Sequence, residues 1–335
     1  MRSIFALILL FLLPSYIFPQ NQAEETRYRI LFYNVENLFD TEDHPFTNDD
    51  EFTPNGDRHW TNKKLEQKID RLAKVVVAAS GAWESPGIIG LCEIENLFVL
   101  EKLVGHPLLK KAQYRIIHKD SPDHRGIDVA FLYRKNVFFP ENYSAIPITS
   151  ERGDTIATRE ILHVSGKFQN EKVFHFLVNH WPSRYGGLME TDADRKRAAG
   201  HLKNAIRNIM KNDPDANIIC MGDFNDQPQD ESLSKVLNAF SPKDSENAEL
   251  INLSAEWDNL PTGTLKHQHE WAVFDQFIVS KNLLKDCAAG IFSPDFLLEK
   301  DPKYAGYRPF RTFNGFRYNG GFSDHLPIII EIKVQ

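Results

Sequence analysis

The sequence predicts a mixed α/β layered domain. Short apolar runs rich in Ile and Val recur along the chain, as strands covered on both faces do. Two longer segments repeat apolar residues at helical spacing. Strands alternate with helices early and late, with adjacent strands between them.

The elements follow in order. Strands are expected at Ile30–Tyr33, Ile88–Cys92, Val129–Tyr133, Val173–Val178, Ile218–Met221, Phe274–Val279 and Leu326–Ile332. Leu65, Ile69, Leu72, Val75 and Val76 mark a helix within Asn62–Ala79. Ala198, Leu202, Ala205, Ile206 and Ile209 mark another within Asp194–Lys211, with Thr191 as its expected N-cap. Thr41–Trp60 is acidic and turn-rich, whereas Pro294–Gly321 carries Tyr304, Tyr307, Phe310, Phe313, Phe316 and Tyr318 with three arginines. Loops of that length are usually functional or disordered, and the aromatic content of the second argues against disorder. With no repeat and no Pro/Ser-rich linker, residues 21–335 are expected to form one domain. A two-sheet sandwich flanked by helices accommodates this number of strands.

Composition bounds the function. The net charge of −7 gives no long-range attraction to nucleic acid or anionic lipid. It does not exclude an enzyme that grips phosphate locally through a bound cation. Arg2, the apolar run Ile4–Leu13 and the break at Pro14-Ser15 read as a signal peptide. That run is short of the roughly 20 residues a membrane span needs. Cleavage near residue 20 and export to periplasm or medium are expected, without stable membrane association. Cys92 and Cys220 sit in apolar runs and read as buried packing thiols, with a Cys92–Cys220 disulfide as the alternative.

Chemistry gathers where apolar runs end. Ile30–Tyr33 leads into Asn34-Val35-Glu36-Asn37, and Ile88–Cys92 into Glu93. Val173–Val178 leads into Asn179-His180-Trp181, and Ile218–Met221 into Gly222-Asp223-Phe224-Asn225. In layered α/β folds ligands collect at the carboxyl ends of strands. Asp275 and Ser323-Asp324-His325 add further candidates. A hard cation prefers carboxylate and amide oxygens, so Glu93 and Asn34 are the expected ligands. Glu36, two residues on in an extended segment, is expected to face the same way. Asp223 would accept a proton from the attacking water or orient it, and Asn225 would hold that water in line. His180 and His325 would stabilise the phosphoryl group or transfer protons. Asp275 is the natural tautomer-fixing partner of His325, and Asp128 a weaker one for His180. Each signal alone has a plain structural reading as a turn, a cap or a packing histidine. Ser323-Asp324-His325 suggests a serine triad, but no Gly-x-Ser-x-Gly elbow accompanies it.

Taken in order, these motifs resemble the endonuclease/exonuclease/phosphatase superfamily, from about Arg29 to Lys333. Phe32–Asp40 and Arg125–Ala130 look most like a branch of secreted bacterial members. The resemblance implies a four-layer α/β/β/α sandwich, DNase I-like, and a Mg²⁺ or Mn²⁺ requirement, with Ca²⁺ as another candidate. It implies Asn34 and Glu93 near the metal, Asp324 as a second or alternative ligand, and Asp223, Asn225, His180 and His325 around the phosphate. Asp275 would pair with His325. A tyrosine found near the phosphate in some relatives has no clear counterpart, and Arg125 or Asp128 is expected in that region.

For the substrate, Arg184 lies just after the His180 motif and is expected to contact a phosphate. Arg195, Lys196 and Arg197 add charge, and the Arg/aromatic segment 304–318 would stack on bases or track a backbone. A secreted nuclease acting on DNA or RNA is the first reading, with no protein partner inferred. The alternative is a phosphatase or phosphodiesterase for lipid headgroups or small phosphoesters. A binding protein with a dead site is the third.

Overall fold

The computed structural model of the chain describes residues 26–81, 84–169, 172–257 and 260–334. The expected signal segment lies outside them. Among the described residues no helix is long and apolar enough to cross a membrane.

Thirteen strands build two large sheets: β1 Thr26–Leu38, β2 Ile88–Ile94, β3 Tyr114–His118, β4 Asp128–Arg134, β5 Phe139–Ile146, β6 Ile161–Lys167, β7 Val173–His180, β8 Asn217–Asp223, β9 Ala239–Phe240, β10 Leu250–Asn252, β11 Asp275–Ser280, β12 Cys287–Ile291 and β13 Ile328–Val334. The first sheet runs β12-β13-β1-β2-β4-β3 and the second β5-β6-β7-β8-β11-β10-β9. β1 pairs parallel with β2, and β7 with β8. Among the described residues three α-helices accompany them: α1 Asn62–Ala78, α2 Leu97–Gly105 and α3 Leu188–Asn212.

The period-two side-chain alternation assigns the layers. In β1, Ile30 and Phe32 point into the space between the sheets, where Phe131, Phe176, Met221 and Phe277 meet them. Leu31 and Tyr33 point outward onto Leu65, Ile69 and Leu72 of α1 and Val99 and Leu103 of α2. In β8, Ile219 and Met221 face inward, whereas Ile218 and Cys220 face Ala198, Leu202 and Ile206 of α3. The result is the four-layer α/β/β/α sandwich. Strands covered on both faces have no polar side to show, which is why they read as unbroken apolar runs. All three cysteines are free, so Cys92 and Cys220 are packing thiols.

Helix α3 corrects one expectation. It starts at Leu188, with Gly187 as N-cap, and Thr191 lies inside the first turn, where its Oγ1 donates to Gly187 O at 2.8 Å. Helix α1 starts as its sequence suggests, with the Thr61 side chain accepting from Lys64 N.

Candidate active site

Strand pairing sets the site. His180, Asp223 and Asp275 lie in one row across β7, β8 and β11: His180 is in register with Asp223, and Asp223 with Asp275. On the facing sheet, Asn34 of β1 is in register with Cys92 of β2, one residue before Glu93. The two sheets are tied together here, because Asn34 Nδ2 donates to Asp223 Oδ2 at 3.0 Å. His325, just before β13, bridges to Leu265 and turns its ring onto Asp275.

The backbone is bent at each of these strand ends. Glu36, Asn37, Glu93 and Asn225 have φ of 53°, 57°, 62° and 50°. The β1/β2 register shifts between Asn34 and Leu38, and the β2/β4 register between Cys92 and Ile94. Left-handed conformations in residues other than glycine cost on the order of 1–3 kcal/mol each and gather where function demands them. Such irregularities re-aim side chains at a sheet edge. Gly222 serves close approach instead: a Cβ there would lie 2.4 Å from Asn179 O.

Asp223 Oδ2 is the point of convergence. Besides Asn34, His180 Nε2 and His325 Nε2 each lie 3.8 Å from it. Its other oxygen accepts Asn225 N at 2.9 Å. His325 Nδ1 is 2.7 Å from Asp275 Oδ2, and Asp275 is fully buried. Glu93 is half-buried, accepts Asn37 N at 2.8 Å through Oε2, and holds Oε1 3.9 Å from His180 Nε2. Asn225 Nδ2 donates to Trp181 O at 3.0 Å.

This geometry divides the titratable groups. Burial pushes the Asp223 carboxyl up to about 7, with His325 opposing the rise and Asp275 adding to it. Burial works against charge on His325, but the Asp275 and Asp223 carboxylates outweigh it and hold the imidazole well above its usual range. Burial drives His180 the other way, with the Arg159 and Arg125 guanidinium groups reinforcing it, so its imidazole is neutral. His180 Nδ1 is buried without a hydrogen-bond partner among the described residues. Two histidines flanking one carboxylate thus take opposite charge states.

Four residues named from sequence are placed differently from expectation. Glu36 turns away from Asn34: its carboxylate accepts Thr312 N at 2.6 Å and Phe313 N at 3.2 Å, beside buried Lys68. The left-handed turn at Glu36 breaks the alternation that would have put it in the cleft. Arg184 is engaged by Asn225 O at 2.7 Å, Asp226 at 2.8 Å and Asp230 at 2.5 Å, and it covers Phe274. It braces the Asn225 loop. Asp324 pairs with Arg311 at 2.6 Å. Asp128 accepts Ser121 N at 2.8 Å and lies beside His118, so it does not orient His180. Arg125 reaches the rim, where it donates to Asn37 at 2.5 Å. The expected cationic helix face is also committed: Arg195 is buried against Asp226, Lys196 pairs with Glu231 and Arg197 with Asp194. In the aromatic segment Phe313 and Tyr318 pack on Trp60.

Some contributors carry no sequence signal. Arg159, in no motif, donates to Asp123 at 3.0 Å and to Trp181 O at 2.7 Å, and its charge disfavours protonation of His180. Thr264 Oγ1 accepts Phe274 N and Asp275 N. Ser323, whose spacing suggested a triad, donates to Asn34 O at 2.7 Å and accepts His325 N at 3.1 Å. It positions both sides of the cleft.

Asp223, Asp275 and His325 bring ligand-type atoms within 4.8 Å of one another. His325 is committed to Asp275, so the carboxylates of Asp223 and Glu93, which meet at Asn34 Nδ2 (3.0 and 3.5 Å), are the donor set that fits a divalent cation.

The family model described as Endonuclease/Exonuclease/phosphatase family matches residues 29–334. Among solved structures, the human Nocturnin catalytic domain with bound sulfate is 16% identical, with a TM-score of 0.55, covering 92% of this chain and 95% of that one. Truncated Caenorhabditis elegans TDP2 is 17% identical, TM-score 0.56, covering 92% and 98%. A Bacteroides thetaiotaomicron mannosyl-6-phosphatase is 15% identical, TM-score 0.56, covering 92% and 100%. No match is found among curated proteins. Enzymes of this family hydrolyse phosphoesters with divalent metals. The match over nearly all of the described chain, with the shared sandwich, shows that this protein belongs to the endonuclease/exonuclease/phosphatase family.

Proposed function

We propose that the chain is a divalent-metal-dependent phosphoesterase that cleaves its substrate by in-line attack of water, with nucleic acid as the first substrate class. The observation that carries this reading is the His325–Asp275 pair beside Asp223, which Asn34 ties to the facing sheet next to Glu93. Asp223 accepts the proton of the attacking water, and a carboxyl pushed to about 7 suits that task near neutral pH. Asn225 orients the water. His325, held charged by Asp275, stabilises negative charge on the phosphoryl oxygens. Neutral His180 donates from Nε2 beside it. Glu93 and Asn34 would hold a cation, Mg²⁺ first and Mn²⁺ as substitute. When bound, that cation polarises a phosphoryl oxygen and stabilises charge on the leaving oxygen. The apolar N-terminal run supports export of the enzyme.

A second reading, hydrolysis of small phosphoesters, gains from a specific observation. Arg184, expected to contact a phosphate, and Arg195, expected to add positive charge, are committed within the protein, Arg184 to Asp226 and Asp230, Arg195 to Asp226. The mannosyl-6-phosphatase neighbour lends that reading a sugar phosphate as a concrete candidate. The deciding experiment offers supercoiled plasmid, single-stranded RNA and mannose 6-phosphate, each with Mg²⁺ or EDTA. Metal-dependent cleavage of plasmid or RNA supports the nuclease. Turnover of the sugar phosphate alone moves the assignment to small phosphoesters. Folded protein that cleaves none refutes both substrate assignments.

A further inference from the structure

A second cluster of ligating side chains lies at the corner where β3 ends and β4 begins, outside the Asp223 row. His118 closes β3, Asp128 opens β4, and Asp120 sits on the loop between them. Each offers one ligand-type atom, and these atoms all lie within 4.8 Å of one another. Asp120 and Asp128 border a cavity of about 330 Å³, also lined by His44, Glu95, Asn96 and His124.

The chemistry of His118 points to a ligand. Its side chain is only 5% exposed, yet Nε2 has no hydrogen-bond partner among the described residues. A buried ring nitrogen left in that state is costly unless something else satisfies it. Nε2 lies 3.3 Å from Asp128 Oδ2, but no hydrogen-bond geometry joins them. Asp128 spends its other oxygen on Ser121 N and Ser121 Oγ. Nδ1 of the same ring is 3.8 Å from Asp120 Oδ1, on a carboxylate that is 86% exposed and free to swing. Two atoms each about 2.1 Å from a shared ion stand about 3.0–3.4 Å apart, so the Nε2–Oδ2 separation is that of co-ligands.

We propose that His118, Asp120 and Asp128 form a second cation site, separate from the catalytic one, that takes a first-row transition dication such as Zn²⁺ or Mn²⁺. The imidazole sets this preference, because Mg²⁺ and Ca²⁺ favour all-oxygen shells. Three protein ligands leave the remaining positions to water. The bound ion ties the ends of loop 119–127 together. That loop carries Asp123, which pairs with Arg159, itself bonded to Trp181 O next to His180, and Arg125, which donates to Asn37. Occupancy therefore orders one wall of the cleft without contributing to the reaction.

The test is isothermal titration of metal-stripped protein with Zn²⁺, comparing the parent chain with His118→Ala, Asp120→Asn and His325→Ala. One binding equivalent is expected to vanish in His118→Ala and to weaken at least tenfold in Asp120→Asn, while His325→Ala retains it. Asp120 is exposed, so its substitution leaves the fold intact and decides the matter if His118→Ala does not fold. X-ray absorption of that equivalent should show one imidazole among oxygen ligands. Unchanged isotherms in both His118→Ala and Asp120→Asn would overturn the site. So would loss of the equivalent in His325→Ala alone, which would assign the ion to the catalytic cluster.

Discussion

Replacing Asp275 by Asn removes a charge while keeping size and hydrogen-bonding capacity. Asp275 and His325 are both buried, 2.7 Å apart between Oδ2 and Nδ1, and Oδ1 of Asp275 has no partner among the described residues. Two unit charges about 4 Å apart at an effective dielectric of about 20 attract by about 4 kcal/mol. Each 1.4 kcal/mol is about tenfold, and the amide recovers part of the loss, so kcat/KM should fall about 10²–10³-fold. The imidazole should also lose its raised pKa. A histidine raised by its partners adds stability that is full below its unfolded value and is lost as pH rises through its folded value. In the parent that loss falls on the alkaline side of neutrality, and in Asp275→Asn it should move toward the ordinary histidine range. The assay is the pH dependence of kcat/KM on bis(p-nitrophenyl) phosphate with Mg²⁺, alongside thermal melts at the same pH values. The alkaline limb should shift to lower pH, and the double variant with His325→Ala should be scarcely worse than either single one. Full additivity, or an unmoved alkaline limb, would refute the coupled pair.

Other expectations follow from the same geometry. Asp223→Asn should abolish turnover yet raise the stability of metal-free protein. The folded state holds a proton on Asp223 that the unfolded chain releases, so parental stability falls as pH rises from about 4 to about 7, by at most about 4 kcal/mol. Melting curves across that range check it, and a variant no more stable than the parent at pH 7.5 would contradict it. Glu93→Gln should lower kcat and raise the metal concentration needed for half-maximal rate, read by Mg²⁺ titration; a parental metal curve would remove Glu93 from the cation's shell. Arg184→Ala should lower stability by roughly 1–3 kcal/mol by leaving Asp226 and Asp230 short of a partner, with KM little changed. A large rise in KM with stability intact would restore Arg184 to the substrate. Reducing agent should leave the melting temperature unchanged, because the cysteines are free.

The layered fold was legible because strands buried on both faces leave continuous apolar runs, as Ile88–Cys92 and Ile218–Met221 do. Edge strands and very short strands were not. Phe139–Ile146, largely exposed, lacks any such run, and Leu250–Asn252 is too short to register. The row of His180, Asp223 and Asp275 was legible as separate strand ends. Their adjacency was not, since it arises from a register only the folded sheet supplies. Glu36 and Arg184 were misplaced for two different reasons. An extended-chain rule failed at a left-handed residue, and a nearby arginine had carboxylate partners that lie 42 and 46 positions along the chain. Arg159 is the harder case, because its role depends wholly on contacts with Asp123 and Trp181. The opposite charge states of His180 and His325 likewise follow from burial and neighbours, not from residue type.

The most direct measurement is hydrolysis of bis(p-nitrophenyl) phosphate and plasmid DNA by residues 21–335, with Mg²⁺ or with EDTA, beside His325→Ala of the same melting temperature. Activity that needs the cation and falls at least a hundredfold in the variant is the expected result. Cleavage that persists in EDTA, or that His325→Ala retains, would contradict a metal-dependent phosphoesterase built on Asp223, Asp275 and His325.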